Sequence, residues 1–294
     1  MVKPKTLFLT SGGLVGSNLL AEFKRQGFAV VSTAADTPED EPAEFLVDVT
    51  DKGGLAAVFS AAKPQQVILA AAFTNVDLCE SEKEKAYRIN VEGCRNVAEL
   101  CQRNSAKMVF FSSEYVFDGK NGPYSEEDIP HPINVYGQTK LEAEKIVAGL
   151  PEHLIIRTTV IYGKERMGKN FAFRLVNSLR QGILVKVPND QISSPTYAPD
   201  LARAVGELVK KEKLGIYNVV GSEVISRYDF ALRVAEVFGL NKDLLIPVTT
   251  AEFKPAAARP LKAGLKIDKV ERDTGLKIPS IENSLKRFKA ELNG

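Results

Sequence analysis

The chain has only two histidines, His131 and His153, in 294 residues. That leaves no basis for a histidine-based metal centre or catalytic triad, and no metal site is expected. Its three cysteines, Cys79, Cys94 and Cys101, are odd in number and lack metal-ligand spacing. They read as buried, reduced thiols rather than a disulfide framework, with Cys94 and Cys101 on one face of a helix. Long hydrophobic runs are missing too. The longest apolar stretch covers residues 67–73, far short of the roughly 20 residues of a membrane span. The N-terminal Met1-Val2-Lys3-Pro4-Lys5 passes straight into an apolar strand, without a signal-peptide core. No basic run stands out and the net charge is +2, so neither nucleic acid nor membrane is expected as a partner. The expectation is a cytoplasmic protein.

What is present is the composition of an ordinary globular protein, 44% hydrophobic and 26% charged. The first half alternates short apolar runs with helical periodicity. Residues 6–9, 29–32, 45–47, 66–70, 108–111 and 154–157 read as strands. Residues 14–26, 51–62, 83–104 and 135–148 read as helices. Continuous apolar strands between helices indicate an α/β protein, a doubly wound, Rossmann-like parallel sheet covered on both faces. After Tyr162 the pattern loosens. Helices are expected over 170–181, 199–211, 226–238 and 280–292, with a strand over 215–220. The division predicted is a dinucleotide-binding domain over 1–163 and a smaller substrate-binding lobe over 164–294, with segments that cross over.

Thr10-Ser11-Gly12-Gly13-Leu14-Val15-Gly16 follows the first strand and opens the first helix. That is the place of a dinucleotide-binding turn. Gly13 lets backbone approach a pyrophosphate and Gly16 allows close helix–strand packing. The helix N-terminus supplies amide donors and a positive dipole end. Ser11, Gly13, Leu14, Val15 and Gly16 are therefore candidate cofactor residues. Asp36 follows the second strand, either against an adenosine ribose or as a solvated loop carboxylate. Asp48, with Val49, could frame the adenine, and the small Ala71 and Ala72 let a cofactor lie against the sheet. No cation follows the second strand to grip a 2′-phosphate, so NADH stands beside NADPH.

Tyr136 and Lys140 lie one helical turn apart on one face. An ammonium beside a phenol favours the phenolate, which equips Tyr136 for proton transfer near neutral pH. The spacing alone is common. Its company is Ser112-Ser113 at the end of a buried strand and the Gly-rich turn.

These residues resemble the extended short-chain dehydrogenases/reductases, and more narrowly the dTDP-4-dehydrorhamnose reductase family. Further stretches carry the resemblance: Ala71-Ala72-Phe73-Thr74-Asn75-Val76-Asp77, Ser112-Ser113-Glu114-Tyr115-Val116-Phe117, Asp190-Gln191-Ile192-Ser193-Ser194-Pro195-Thr196, and Arg259-Pro260. The resemblance implies NAD(P)H-dependent reduction of a nucleotide-linked 4-keto-6-deoxysugar. It implies that Ser113 hydrogen-bonds the keto oxygen, Tyr136 donates the proton, and Lys140 holds the nicotinamide ribose. Asn90 would steady the lysine, or be a plain mid-helix polar residue. Thr74, Val76, Glu114, Gln191, Thr196 and Arg259 become candidate substrate residues, and a homodimer is implied. Arg259 would grip a diphosphate bidentately, or pair with a local carboxylate. Where the family commonly has tryptophan after Arg-Thr-Ser, this chain reads Arg157-Thr158-Thr159-Val160, and it has no tryptophan.

Two other readings stand beside this one. The regulatory β subunit of methionine adenosyltransferase resembles the same family and binds a partner enzyme. A nucleotide-sugar 4-epimerase or another ketoreductase would use the same hydroxyl–phenol–ammonium set.

Overall fold

The computed structural model describes residues 5–9, 12–35, 43–165 and 168–293. Its first half is the expected alternation: β1 (Thr6–Leu9), α1 (Leu14–Arg25), β2 (Val30–Ala34), β3 (Phe45–Leu46), α2 (Lys52–Ala62) and β4 (Gln66–Leu69). Then come α3 (Val76–Ser81), α4 (Lys83–Tyr87), a π-helical turn (Arg88–Glu92), α5 (Gly93–Arg103), β5 (Lys107–Ser113), α6 (Val135–Ala148) and β6 (His153–Thr158). The second half contains β7 (Ile161–Tyr162), α7 (Phe171–Arg180), β8 (Val185–Pro188), β9 (Ile192–Ser193), β10 (Thr196–Tyr197), α8 (Ala198–Lys210), β11 (Gly215–Asn218), β12 (Ile225–Ser226) and α9 (Arg227–Phe238). It ends with β13 (Leu245–Val248), α10 (Thr250–Phe253), α11 (Asp268–Thr274) and α12 (Ile281–Asn293).

Seven strands form one parallel sheet in the order β11-β6-β5-β4-β1-β2-β3. Every residue of β1, β4 and β5 is buried, which is why these strands read as unbroken apolar runs. One face is covered by α2, α5 and α6, packing Leu55, Phe59, Val97 and Ala143 onto Leu7, Val67 and Ile155. The other is covered by α1, α8 and α11, packing Phe23, Leu201, Val205 and Val270 onto Phe8, Ile68 and Ile156. The fold is therefore the doubly wound, Rossmann-like α/β class. A separate apolar cluster, with Val176, Phe230, Val234 and Phe288, joins α7, α9 and α12 into the smaller lobe.

Three features differ from the periodicity. The helix expected over 83–104 is interrupted by the π turn at Arg88–Glu92, and α3 precedes it with Asn75 as its side-chain cap. The strand expected over 215–220 ends at Asn218 and pairs in parallel with β6, so it belongs to the main sheet. Short strands of two to four residues appear in the second half; runs that brief leave no period to read. Among the described residues, no helix is long and apolar enough to cross a membrane.

Candidate active site

Parallel strands end together, and their carboxyl ends gather the site. The turn after β1 exposes Gly12 and Gly13, and a Cβ on either would meet no atom within 4 Å. Gly13 caps α1 with no side-chain hydrogen bond, so nothing from a capping side chain occupies the first amides. Open backbone at a helix N-terminus fits a pyrophosphate. Leu14 and Val15 are half-buried and Gly16 is buried. Ser11 and Asp36, like Thr10, lie outside the described residues. Asp48 is exposed, and its Oδ1 accepts from the Thr50 amide at 2.7 Å and hydroxyl at 2.8 Å. Val49 is buried against Gly93, and its carbonyl accepts from Asn96. Ala71 and Ala72 are half-buried just beyond β4.

β5 runs to Ser113, two residues past its expected end, so both Ser112 and Ser113 sit within the sheet. The Ser113 hydroxyl accepts from the Tyr115 amide at 3.3 Å and lies near enough to the Tyr136 phenol to draw its pKa down. Tyr136 is also edge-on to Tyr115, with centroids 5.7 Å apart. Its helix approaches closely, because Gly137 lies where any Cβ would fall 2.1 Å from the Tyr115 carbonyl oxygen. Lys140 is buried with its Nζ 4.4 Å from the Phe110 ring centroid.

The electrostatics correct one expectation. Burial pushes the Tyr136 phenol upward, and the nearby Ser113 hydroxyl offsets this only in part. Burial pushes Lys140 down, to about 8. In the protein alone, desolvation thus outweighs the lowering that the spacing predicted for Tyr136.

Side chains from distant segments fix α6. Asn134 caps it, accepting from the Gly137 amide at 2.8 Å and donating to the Ala258 carbonyl at 2.8 Å. Glu80 accepts from the Val135 amide at 2.8 Å. Arg157 on β6 grips Glu144 through Nε at 3.0 Å and Nη2 at 2.8 Å, both residues buried. Asn90, in the π turn, accepts from the Phe73 amide at 2.7 Å and donates to the Phe73 carbonyl at 3.1 Å and the Thr139 hydroxyl at 3.0 Å. Thr139 in turn donates to the Tyr136 carbonyl at 2.8 Å. Asn90 therefore joins the segment after β4 to the helix bearing Tyr136, through Thr139 rather than through Lys140.

The candidate substrate residues divide. Thr74 is exposed, and Val76 packs with Phe73 and Tyr136. Glu114 is buried, and its Oε1 accepts a short hydrogen bond from Thr159. Burial lifts its carboxyl to about 8, against the pull of Thr159 and Arg227. Gln191 donates to Thr250 at 3.0 Å and accepts the Arg227 amide on its carbonyl at 2.8 Å. The structure does not bring Thr196 to this group: it is buried, and its hydroxyl donates to the Ser194 carbonyl and accepts from Gly221. Arg259 pairs with Asp77 at 2.7 Å, and Asp77 also accepts from the Ala257 amide at 2.9 Å. The local-carboxylate alternative is thus realised, which ties the 257–259 segment to α3.

Sequence reasoning missed Arg227. It opens α9 behind the Ser226 cap, and its guanidinium carbon lies 5.2 Å from the Phe171 ring centroid. A single arginine after a serine gives no signal without the fold that turns it toward Glu114.

A family model described as RmlD substrate binding domain matches residues 4–293. The dTDP-4-dehydrorhamnose reductase of Aggregatibacter actinomycetemcomitans is 34% identical over 257 residues, covering 83% of this chain and 87% of that protein. The crystal structure of dTDP-4-dehydrorhamnose reductase from Bacillus anthracis str. Ames in complex with NADP gives a TM-score of 0.90 at 32% identity, covering 98% of this chain and 99% of that one. Methionine adenosyltransferase 2 subunit beta of Xenopus laevis is 29% identical over 276 residues, 91% of this chain and 82% of that protein.

Proposed function

The chain belongs to the RmlD substrate binding domain family, and from that premise we propose that it reduces dTDP-4-dehydrorhamnose, a nucleotide-linked 4-keto-6-deoxysugar, with NADPH or NADH. The chain is an NAD(P)-dependent oxidoreductase, in keeping with the reductases it resembles. The observation that carries the finer reading is the placement of buried Ser113 at the end of β5 close enough to draw down the pKa of the buried Tyr136 phenol, with Lys140 one turn along the same helix. The reading gives the cofactor to residues 1–163 and the sugar to residues 164–294, with β11 crossing back into the sheet.

Gly13, the first turn of α1, Ala71 and Ala72 would hold the cofactor, which supplies hydride to the keto carbon when bound. Ser113 donates a hydrogen bond to the keto oxygen and fixes its position. Tyr136 gives its phenolic proton to that oxygen as negative charge gathers on it. A buried phenol keeps its proton until a stronger base, the nascent alkoxide, stands beside it. Lys140, one turn along the same helix, would offset the charge of the phenolate that remains. Tyr115, Gly137 and the Asn90–Thr139 link hold the phenol at that position.

The test is turnover: the protein, dTDP-4-dehydrorhamnose and NADPH or NADH, followed by loss of reduced-cofactor absorbance. Stoichiometric consumption supports the reading. Cofactor binding with no consumption on any of several nucleotide keto-sugars refutes it. That outcome would favour the regulatory-subunit reading, which the Xenopus laevis relative supports. Sugar conversion without net cofactor loss would favour an epimerase.

A further inference from the structure

The helix α6 carries three buried polar side chains at four-residue intervals, Tyr136, Lys140 and Glu144. Residues four apart on a helix are surface neighbours. An ammonium and a carboxylate buried at that spacing should pair, because a low dielectric strengthens their attraction. They do not. Glu144 gives both oxygens to Arg157 of β6, Oε1 accepting from Nε at 3.0 Å and Oε2 from Nη2 at 2.8 Å. Lys140 instead places its Nζ 4.4 Å from the Phe110 ring centroid.

The sheet aims the guanidinium. Arg157 lies opposite Ser112 of β5, and its side chain is 2% exposed. Its guanidinium carbon is 5.1 Å from the Phe117 ring centroid, and Nη1 faces the Glu126 carbonyl at 3.5 Å. A planar fork on a planar carboxylate makes two charge-assisted bonds at once, where an ammonium acts as a point charge. Arg157 therefore wins Glu144 from Lys140.

Glu144 is the charge that matters most to Lys140. Burial takes Lys140 down to about 8, while Cys94 of α5, Glu144, and Cys79 of α3 act in the opposite sense. Burial lifts the two thiols to about 12 and about 11, so both are neutral where Lys140 titrates. The π turn presents neutral Asn90, α4 presents Ala86, and β5 the Phe110 ring. Glu114 and Tyr115 act on the Tyr136 phenol. That leaves Glu144 as the carboxylate one turn away, with Arg157 holding it.

We propose that Arg157 is a positioning residue for the reaction: by holding both oxygens of Glu144 it keeps Lys140 unpaired and available to Tyr136 and the cofactor. The effect on turnover rests on the reductase reading; the competition for Glu144 does not.

The experiment removes the competitor. Arg157→Met keeps an apolar stem against Phe117 and leaves Glu144 with Lys140 as the cation one turn along. The first readout is the NMR titration of the Lys140 side chain in cofactor-free protein, its signal assigned by its loss in Lys140→Met. The titration should move upward by about one pH unit or more, as an opposite charge at this range requires. NADPH affinity should fall roughly tenfold, the equivalent of one such unit, and the pH–rate profile should shift with Lys140. Adding Glu144→Gln to Arg157→Met removes the freed charge, and should return the titration and the NADPH affinity toward wild type. Should Arg157→Met not fold, Arg157→Lys serves in its place, with a smaller shift in the same direction. A Lys140 titration that stays put when Arg157 is replaced, or a loss of affinity that Glu144→Gln does not relieve, overturns the proposal and leaves the pair a fastener of α6. If Lys140 responds as stated but wild type reduces no nucleotide keto-sugar, the reductase reading falls and the competition for Glu144 stands. If wild type reduces one and Lys140 does not respond, the positioning role falls and the reductase stands.

Discussion

Lys140→Met separates what Lys140 does to the fold from what it does in the proposed site. Lys140 is 3% exposed, and burial takes its pKa from 10.5 to about 8. The folded protein therefore binds fewer protons than the unfolded chain between about pH 8 and 10.5. Stability must rise with pH across that window and be lowest below it. At about 1.4 kcal/mol per pKa unit, keeping this ammonium charged costs the fold on the order of 3 kcal/mol near neutral pH. Methionine carries no charge and keeps a favourable contact with the Phe110 ring beneath it. The variant should thus be more stable than wild type by roughly 2–3 kcal/mol at about pH 7, as measured by denaturant unfolding. The gap should narrow to roughly 1 kcal/mol near pH 10. The same variant should bind NADPH more weakly in a titration and lose most of its turnover. A variant less stable than wild type at neutral pH, or a gap that ignores pH, would refute the desolvation argument. Unchanged cofactor affinity would remove Lys140 from the site.

Tyr136→Phe keeps the ring against Tyr115 and removes the proposed acid; kcat should fall about 10²–10⁴-fold with NADPH affinity held, and near-normal kcat in a folded variant would sink the assignment. Glu114→Gln tests a raised carboxyl: wild type gains stability from the protonated form below the ordinary value of 4.5 and loses it as pH rises through about 8. Relative to the glutamine variant, wild type should therefore weaken by about 3–5 kcal/mol between pH 5 and 9, and parallel unfolding curves would show that Glu114 is ionised throughout. Partial burial raises the Asp77 carboxyl, but its bonds to Arg259 and the Ala257 amide hold it below its usual range. Arg259→Ala should accordingly cost about 1 kcal/mol of stability, and a KM for the nucleotide sugar raised roughly ten- to a hundredfold would give Arg259 a binding role as well; a stability loss with KM unchanged would make it only a loop fastener.

The sequence exposes what repeats or sits close in the chain. Fully buried strands betray themselves because both faces need apolar residues, so β1, β4 and β5 were legible. Tyr136 and Lys140 were legible because a helix turns a fixed spacing into a shared face. Long-range partners were not. Nothing near Asn90 shows that it will bond Phe73 and Thr139, residues 17 and 49 positions away. Nothing near Glu144 names Arg157 as the guanidinium it holds. The π turn at Arg88–Glu92 adds one residue to a helical repeat and leaves no compositional mark. Electrostatics escaped for a related reason. Spacing gives the neighbouring charge but not the depth of burial, and depth decides the sign for Tyr136.

The distribution of satisfied and unsatisfied groups divides the site in two. Around α6 the described polar contacts close on one another: Asn134 with Gly137 and Ala258, Asn90 with Phe73 and Thr139, Glu144 with Arg157. A closed network resists displacement and holds the Tyr136 ring against Tyr115, just past the end of β5. Toward the smaller lobe the pattern reverses, with Glu114 Oε2 and the Ser193 hydroxyl left unpaired beside a strained Val160. Leaving a buried polar atom unbonded costs about 1–3 kcal/mol. On the proposed reading, the phenol that transfers the proton sits on the helix that this network holds most firmly, so loosening any one of its links, Asn90→Ala first, should lower kcat more than it raises KM.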